Sequence, residues 1–177
     1  MPIIRLADRE LNTKHGRFTE ILYYDGQRES VALVMGEIQG GGDVLCRIHS
    51  ACLGGHVFNS VECTCADEMA AAQETIQSAG RGLIIYLDQE GKGNGHFALM
   101  QSIPFKRSGY SQAEAYEKSG YRADARTYEP SAAILRDLGI TSIILMTDNP
   151  AKASELERLG IPVTSTQDIS AKLSQNT

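Results

Sequence analysis

Two short apolar runs, Gly82–Leu87 and Ser142–Met146, constrain this chain most. Continuous apolar runs of this length read as strands buried on both faces. Such strands need helices to cover them, and the helices are legible. Ala66–Ala79 sets Met69, Ala72 and Ile76 on one face and stops at Gly80. Pro130–Leu138 stops at Gly139, and Ala151–Leu159 stops at Gly160. Asn94–Phe105 and Ser111–Lys118 are expected as two more, with Pro104 ending or bending the first. Upstream, Phe18–Tyr24 and Val31–Ile38 read as strands joined around Asp25-Gly26, and Asp43–Ile48 as a third after a glycine triplet. Ile161–Thr164 is the expected last strand, and 170–177 a frayed tail. The pattern predicts one mixed α/β (α+β) domain over residues 1–177, β-rich first and built of βα units later.

Composition narrows the function classes. The net charge of −5 argues against a nucleic-acid partner, which needs a basic face. A local basic pocket for a nucleotide stays compatible with it. No apolar run approaches the length of a membrane span, and the N-terminus has no apolar signal core. No membrane partner and a cytoplasmic location are therefore expected.

Three of the four cysteines, Cys52, Cys63 and Cys65, follow the polar run Arg47-Ile48-His49-Ser50. Three thiolates this close read as a three-ligand metal site, which leaves tetrahedral zinc one position for water. Their spacing is not the paired pattern of structural zinc modules. Catalytic zinc, structural zinc and redox or inert thiols all fit the spacing. Cys46, within Val44-Leu45-Cys46, reads as a buried small hydrophobe. His15, His49, His56 and His96 are further possible ligands or proton carriers, although a hydrogen-bonded or solvated histidine is the ordinary case.

Polar clusters follow three of the apolar strands. They are Arg47 to Ser50, Asp88-Gln89-Glu90-Gly91-Lys92-Gly93-Asn94-Gly95, and Thr147-Asp148-Asn149-Pro150-Ala151-Lys152. Ligands gather outside strand C-termini in α/β sheets, so these clusters are expected to converge. The glycine loop is either a flexible turn or a backbone cradle for phosphate, and it lacks the P-loop order. The third cluster is either a plain helix cap or a cap with Lys152 at a phosphate. Asp124 and Arg126 form either a surface ion pair or part of a phosphate site.

Together, R-I-H-S-x-C-L-x-G, the cysteines at 63 and 65, D-Q-E-G-K-G-N-G, D-A-R and T-D-N-P-x-K resemble GTP cyclohydrolase II from about Leu11 to Val163. The resemblance implies zinc on Cys52, Cys63 and Cys65, whose activated water opens the imidazole ring of GTP at C8. Formate and pyrophosphate leave, as in riboflavin-type biosynthesis. It further implies Arg126 as nucleophile toward the α-phosphorus and Asp124 as proton acceptor. Arg47, Ile48, His49, Ser50, Glu90, Gly91, Lys92, Thr147 and Lys152 match nucleotide-binding positions. Magnesium with the triphosphate and a homodimer are also implied.

The chain departs from the family pattern at several of these positions. Ala51 stands where a glutamate is usual, Glu68 for glutamine, Lys92 for arginine, and Gln112 for threonine. The family's catalytic tyrosine aligns to Ile103, and Tyr110, Tyr121 or Tyr128 are the candidates to replace its hydroxyl. Two alternatives follow: a relative that opens another purine or pyrimidine ring, or a silent nucleotide- or zinc-binding protein.

Overall fold

The structure is a computed structural model, and it describes residues 2–169. Seven strands form one sheet in the order β1-β2-β3-β5-β4-β6-β7. The strands are β1 (Ile4–Thr13), β2 (Gly16–Tyr24), β3 (Glu29–Met35), β4 (Val44–Ser50), β5 (Gly82–Leu87), β6 (Ile143–Met146) and β7 (Val163–Gln167). β1, β2, β3 and β5 pair antiparallel in turn. β5, β4, β6 and β7 run parallel. The helices are α1 (Leu53–His56), α2 (Cys65–Ala79), α3 (His96–Arg107), α4 (Gln112–Lys118), α5 (Glu129–Asp137) and α6 (Pro150–Arg158). The tail expected over 170–177 lies outside the described residues.

The two apolar runs are the interior strands β5 and β6, as their lack of alternation requires. Along β5 the side chains divide between two cores. Leu83, Ile85 and Leu87 join Ile134, Leu135 and Leu156 from α5 and α6. Ile84 joins Ala71, Ala72 and Ile76 from α2 on the other face. Cys46 is fully buried in the first core, the small hydrophobe its flanks predicted.

α2 leads from β4 to its neighbour β5 on one side, and α5 precedes β6 on β4's other side. The crossovers diverge at β4, so a crevice opens at its carboxyl end.

Several expectations are corrected. β1 was not anticipated: its sequence is charged and its side chains lie mostly in solvent, so no apolar alternation marks it. It is held by its ladder to β2 and by cross-strand pairs such as Arg9 with Glu20. α1 was missed because four residues carry no helical period. Pro104 neither ends nor breaks α3, which continues to Arg107; at that depth the helix end is one turn away. The last strand runs to Gln167 rather than stopping at Thr164, because it pairs with β6 through Met146↔Gln167.

Ile85 has no exposed surface and pairs with Ala32 on one side and Ile48 on the other. Ile85→Ala is expected to lower stability by about 2–5 kcal/mol, read by denaturant unfolding. A loss below about 1 kcal/mol would contradict the central position assigned to β5.

Candidate active site at the carboxyl edge of the sheet

The ends of β4 and β5 bring two of the polar clusters to one cleft; the third does not line it, although its Lys152 lies close enough to feel Arg47 and Arg126. β4 delivers Ser50 and Cys52, and β5 delivers the glycine loop. With α3 and α4 they enclose an open cleft of about 510 Å³. Cys52, Cys63, Cys65, Glu68, Glu90, Gly91, Lys92, Gln112 and Arg126 line it, beside Ser50, Ala51, Ile103 and Tyr116.

The sulfurs of Cys52, Cys63 and Cys65 all lie within 4.8 Å of one another. Cys52 and Cys63 are 3.7 Å apart, too far for a disulfide. Tetrahedral thiolate coordination of zinc separates sulfurs by about 3.8 Å, so the trio fits such an ion. Local structure builds the trio. Cys52 is the N-cap of α1 and accepts the Gly55 N–H at 3.4 Å. Cys65 opens α2. A Cβ on Gly55 would stand 2.9 Å from the Cys63 sulfur and 3.4 Å from that of Cys52, so only glycine leaves the pocket free. Burial pushes the Cys52 thiol up, and burial with the neighbouring sulfurs pushes Cys65 up. A cation among them would reverse both. Among the described residues no histidine joins this cluster.

His49 and His56 do something else. Their Nε2 atoms face each other at 2.9 Å. His56 Nδ1 accepts the Cys52 backbone N–H at 3.3 Å. The neutral His56 ring therefore donates from Nε2, and His49 keeps its own proton on Nδ1. That Nδ1 is buried without a partner. Burial, then Arg47, His56 and Lys152, lower the His49 pKa to about 3. His49 stacks on Tyr86, with ring centroids 6.3 Å apart.

Arg47 is 5% exposed. It donates to the Met146 carbonyl at 2.9 Å and pairs with Glu68. Glu68 accepts the Thr64 hydroxyl on its other oxygen at 2.9 Å. Both of its oxygens are thus engaged within the protein. Lys152, in the first turn of α6, is brought near by Asn149, which caps that helix. Burial, then Arg47 and Arg126, lower the Lys152 pKa to about 8. Thr147 is buried, and its hydroxyl accepts the Asn149 N–H at 3.1 Å. Ile48 points its side chain into the core of the α5 face, away from the cleft.

Glu90 bridges the glycine loop to the cysteines: it accepts the Leu53 N–H at 2.6 Å and the Gly91 N–H at 3.0 Å. Lys92 has φ 53°, and its carbonyl accepts the Ala125 N–H at 2.9 Å. Gly93 packs so closely that a Cβ would meet the Ala125 carbonyl at 2.7 Å. This contact fixes the segment bearing Asp124 and Arg126. Arg126 forks onto both Asp124 oxygens, with Nη2 at 2.5 Å. Burial would raise the Asp124 carboxyl, but hydrogen bonds from Arg126 outweigh it and hold the pKa low. Gln112 spends its amide on Ser102 at 2.9 Å.

Residues 4–168 match the family model described as GTP cyclohydrolase II. The chain belongs to the GTP cyclohydrolase II family. It is 40% identical over 166 residues to GTP cyclohydrolase-2 of Azotobacter vinelandii, covering 93% of this chain and 80% of that protein. It is 42% identical over 166 residues to the riboflavin biosynthesis protein RibBA of Nocardia farcinica, covering 92% of this chain. It spans 40% of the length of that relative. Among solved structures it is similar to RibBX of A. baumannii, a two-domain 3,4-dihydroxy-2-butanone 4-phosphate synthase. There the TM-score is 0.52 at 19% identity, covering 95% of this chain and 40% of that one, a likeness of fold alone. No helix of the described residues is long and apolar enough to cross a membrane.

Metal analysis tests the cysteine trio. One bound metal per chain is expected in the wild type and in Cys46→Ala, and none in Cys63→Ala. Gly55→Ala should weaken binding although every ligand remains. Metal retained in Cys63→Ala would remove that ligand from the set.

Proposed function

We propose that this chain is a zinc-dependent cyclohydrolase that opens the imidazole ring of GTP, with release of formate and pyrophosphate, in riboflavin biosynthesis. The observation that carries this reading is one cleft lined by the three-sulfur cluster at one place and at another by Arg126, which pairs with Asp124. Zinc held by Cys52, Cys63 and Cys65 would supply a Lewis acid and an activated water to the purine.

The remaining work falls to the chain's own groups. Glu90 holds the start of α1, and with it Cys52, against the glycine loop. Lys92, Arg126 and Lys152 provide positive charge for the phosphates and the leaving pyrophosphate. Asp124 orients the Arg126 fork and keeps its own carboxylate ionised, ready to accept a proton. Magnesium on the triphosphate, a homodimer and a single catalytic domain belong to the same reading, which family membership supports.

A second reading has a specific observation behind it. Glu68 and Gln112 stand at substrate-contact positions where the family pattern has other residues. Glu68 is engaged through both oxygens by Arg47 and Thr64, and Gln112 through its amide N–H by Ser102. A chain that retains the metal cluster but alters these contacts also fits the opening of another purine or a pyrimidine ring.

Incubation of zinc-loaded protein with GTP is expected to yield formate and pyrophosphate. Arg126→Ala should abolish pyrophosphate release with zinc still bound. Formate from a different base, and none from GTP, would transfer the assignment to the second reading. Loss of both products across a panel of nucleotides, nucleosides and bases would point to a silent binding protein.

Lys152 adds a pH dependence. Its folded pKa of about 8 leaves it charged below that pH and neutral above. The KM for the nucleotide is therefore expected to rise as pH passes about 8. Lys152→Met should raise KM at neutral pH and flatten this rise; an unaltered profile would detach Lys152 from the phosphates.

A further inference from the structure

One wall of the cleft is made by α3 and α4. From α4 it receives Gln112 and Tyr116, four residues apart and so on one helical face. From α3 it receives the apolar Leu99 and Ile103. Tyr116 is only 1% exposed, yet its hydroxyl makes no hydrogen bond among the described residues. The sealed polar atoms without partners are His15 Nε2, Arg47 Nε, His49 Nδ1 and Ser131 Oγ. The Tyr116 hydroxyl is not among them, and Tyr116 lines the cleft. It lies over the glycine loop, where a Cβ on Gly91 would come within 3.2 Å of it.

A buried phenol ordinarily finds a partner, and leaving one unpaired is unfavourable. On the same wall the Gln112 amide N–H is directed away from it, onto Ser102. The tyrosines expected to offer a hydroxyl do not line the cleft. Tyr121 donates to Gln101 at 2.5 Å, Tyr110 lies under the Lys118 ammonium, and Tyr128 packs in the core.

We propose that the Tyr116 hydroxyl contacts the substrate, donating a hydrogen bond to a heteroatom of the nucleobase as its ring opens. The inference rests on the ring-opening reading above. A base suits this wall better than a phosphate does. Leu99 and Ile103 offer apolar surface to a flat ring. Burial first, then Glu90, hold the phenol's pKa at about 12, so it keeps the proton it would donate.

Tyr116→Phe keeps the ring and removes only the oxygen. In zinc-loaded protein with GTP, kcat for formate release is expected to fall about 100-fold, with KM little changed. Zinc content and melting temperature should match the wild type, which separates a lost contact from a lost fold. An unchanged kcat overturns the proposal. If the wild type binds GTP without releasing formate, the ring-opening reading fails and calorimetry decides the contact. A tenfold weaker GTP affinity in Tyr116→Phe then supports it, and equal affinity overturns it. A wild type that neither binds nor opens GTP overturns both.

Discussion

One buried guanidinium ties the carboxyl edge of the sheet together. Arg47 rises from β4, caps the Met146 carbonyl at the end of β6 and pairs with Glu68 on α2. Its charge cannot stay buried without that partner; removing one member of such a pair costs about 3–5 kcal/mol. The pair also has a reach beyond itself. Glu68 takes the hydroxyl of Thr64, which stands between Cys63 and Cys65. The start of α2 is thereby pinned to the sheet, and two of the three sulfurs with it. The carboxylate at position 68, a departure from the family pattern, is thus explained structurally: it neutralises Arg47.

The charge distribution follows from the same geometry. The chain carries a net charge of −5, yet Arg47, Arg126 and Lys152 lie close enough for the two arginines to depress the lysine's pKa. Positive charge is local, gathered near the carboxyl edge of the sheet and partly buried there. Overall composition reports none of this, because it averages over surfaces that never face the cleft.

What the sequence conveyed depended on how local the signal was. The buried strands β5 and β6 and their covering helices were legible because burial on both faces leaves continuous apolar runs. Convergence of two of the polar clusters followed from parallel topology, and Cys46 was separable from the other cysteines by its apolar flanks. β1 was illegible because an exposed edge strand is specified by pairing, not by hydrophobicity. The pairing of His49 with His56, and the exclusion of both from the sulfur cluster, depend on ring orientations that spacing does not encode. Tyr116 was hidden for a related reason: its helical register toward the cleft emerges only once α3 and α4 are packed.

The close approach of Gly93 to Ala125 has a mechanical meaning. Lys92 and Arg126 sit on different segments, but the Ala125 N–H bonded to the Lys92 carbonyl and the close approach of Gly93 to Ala125 fasten the two together. Two stretches of chain more than thirty residues apart are therefore joined at the cleft, and a side chain added at Gly93 would displace the Asp124–Arg126 segment as well.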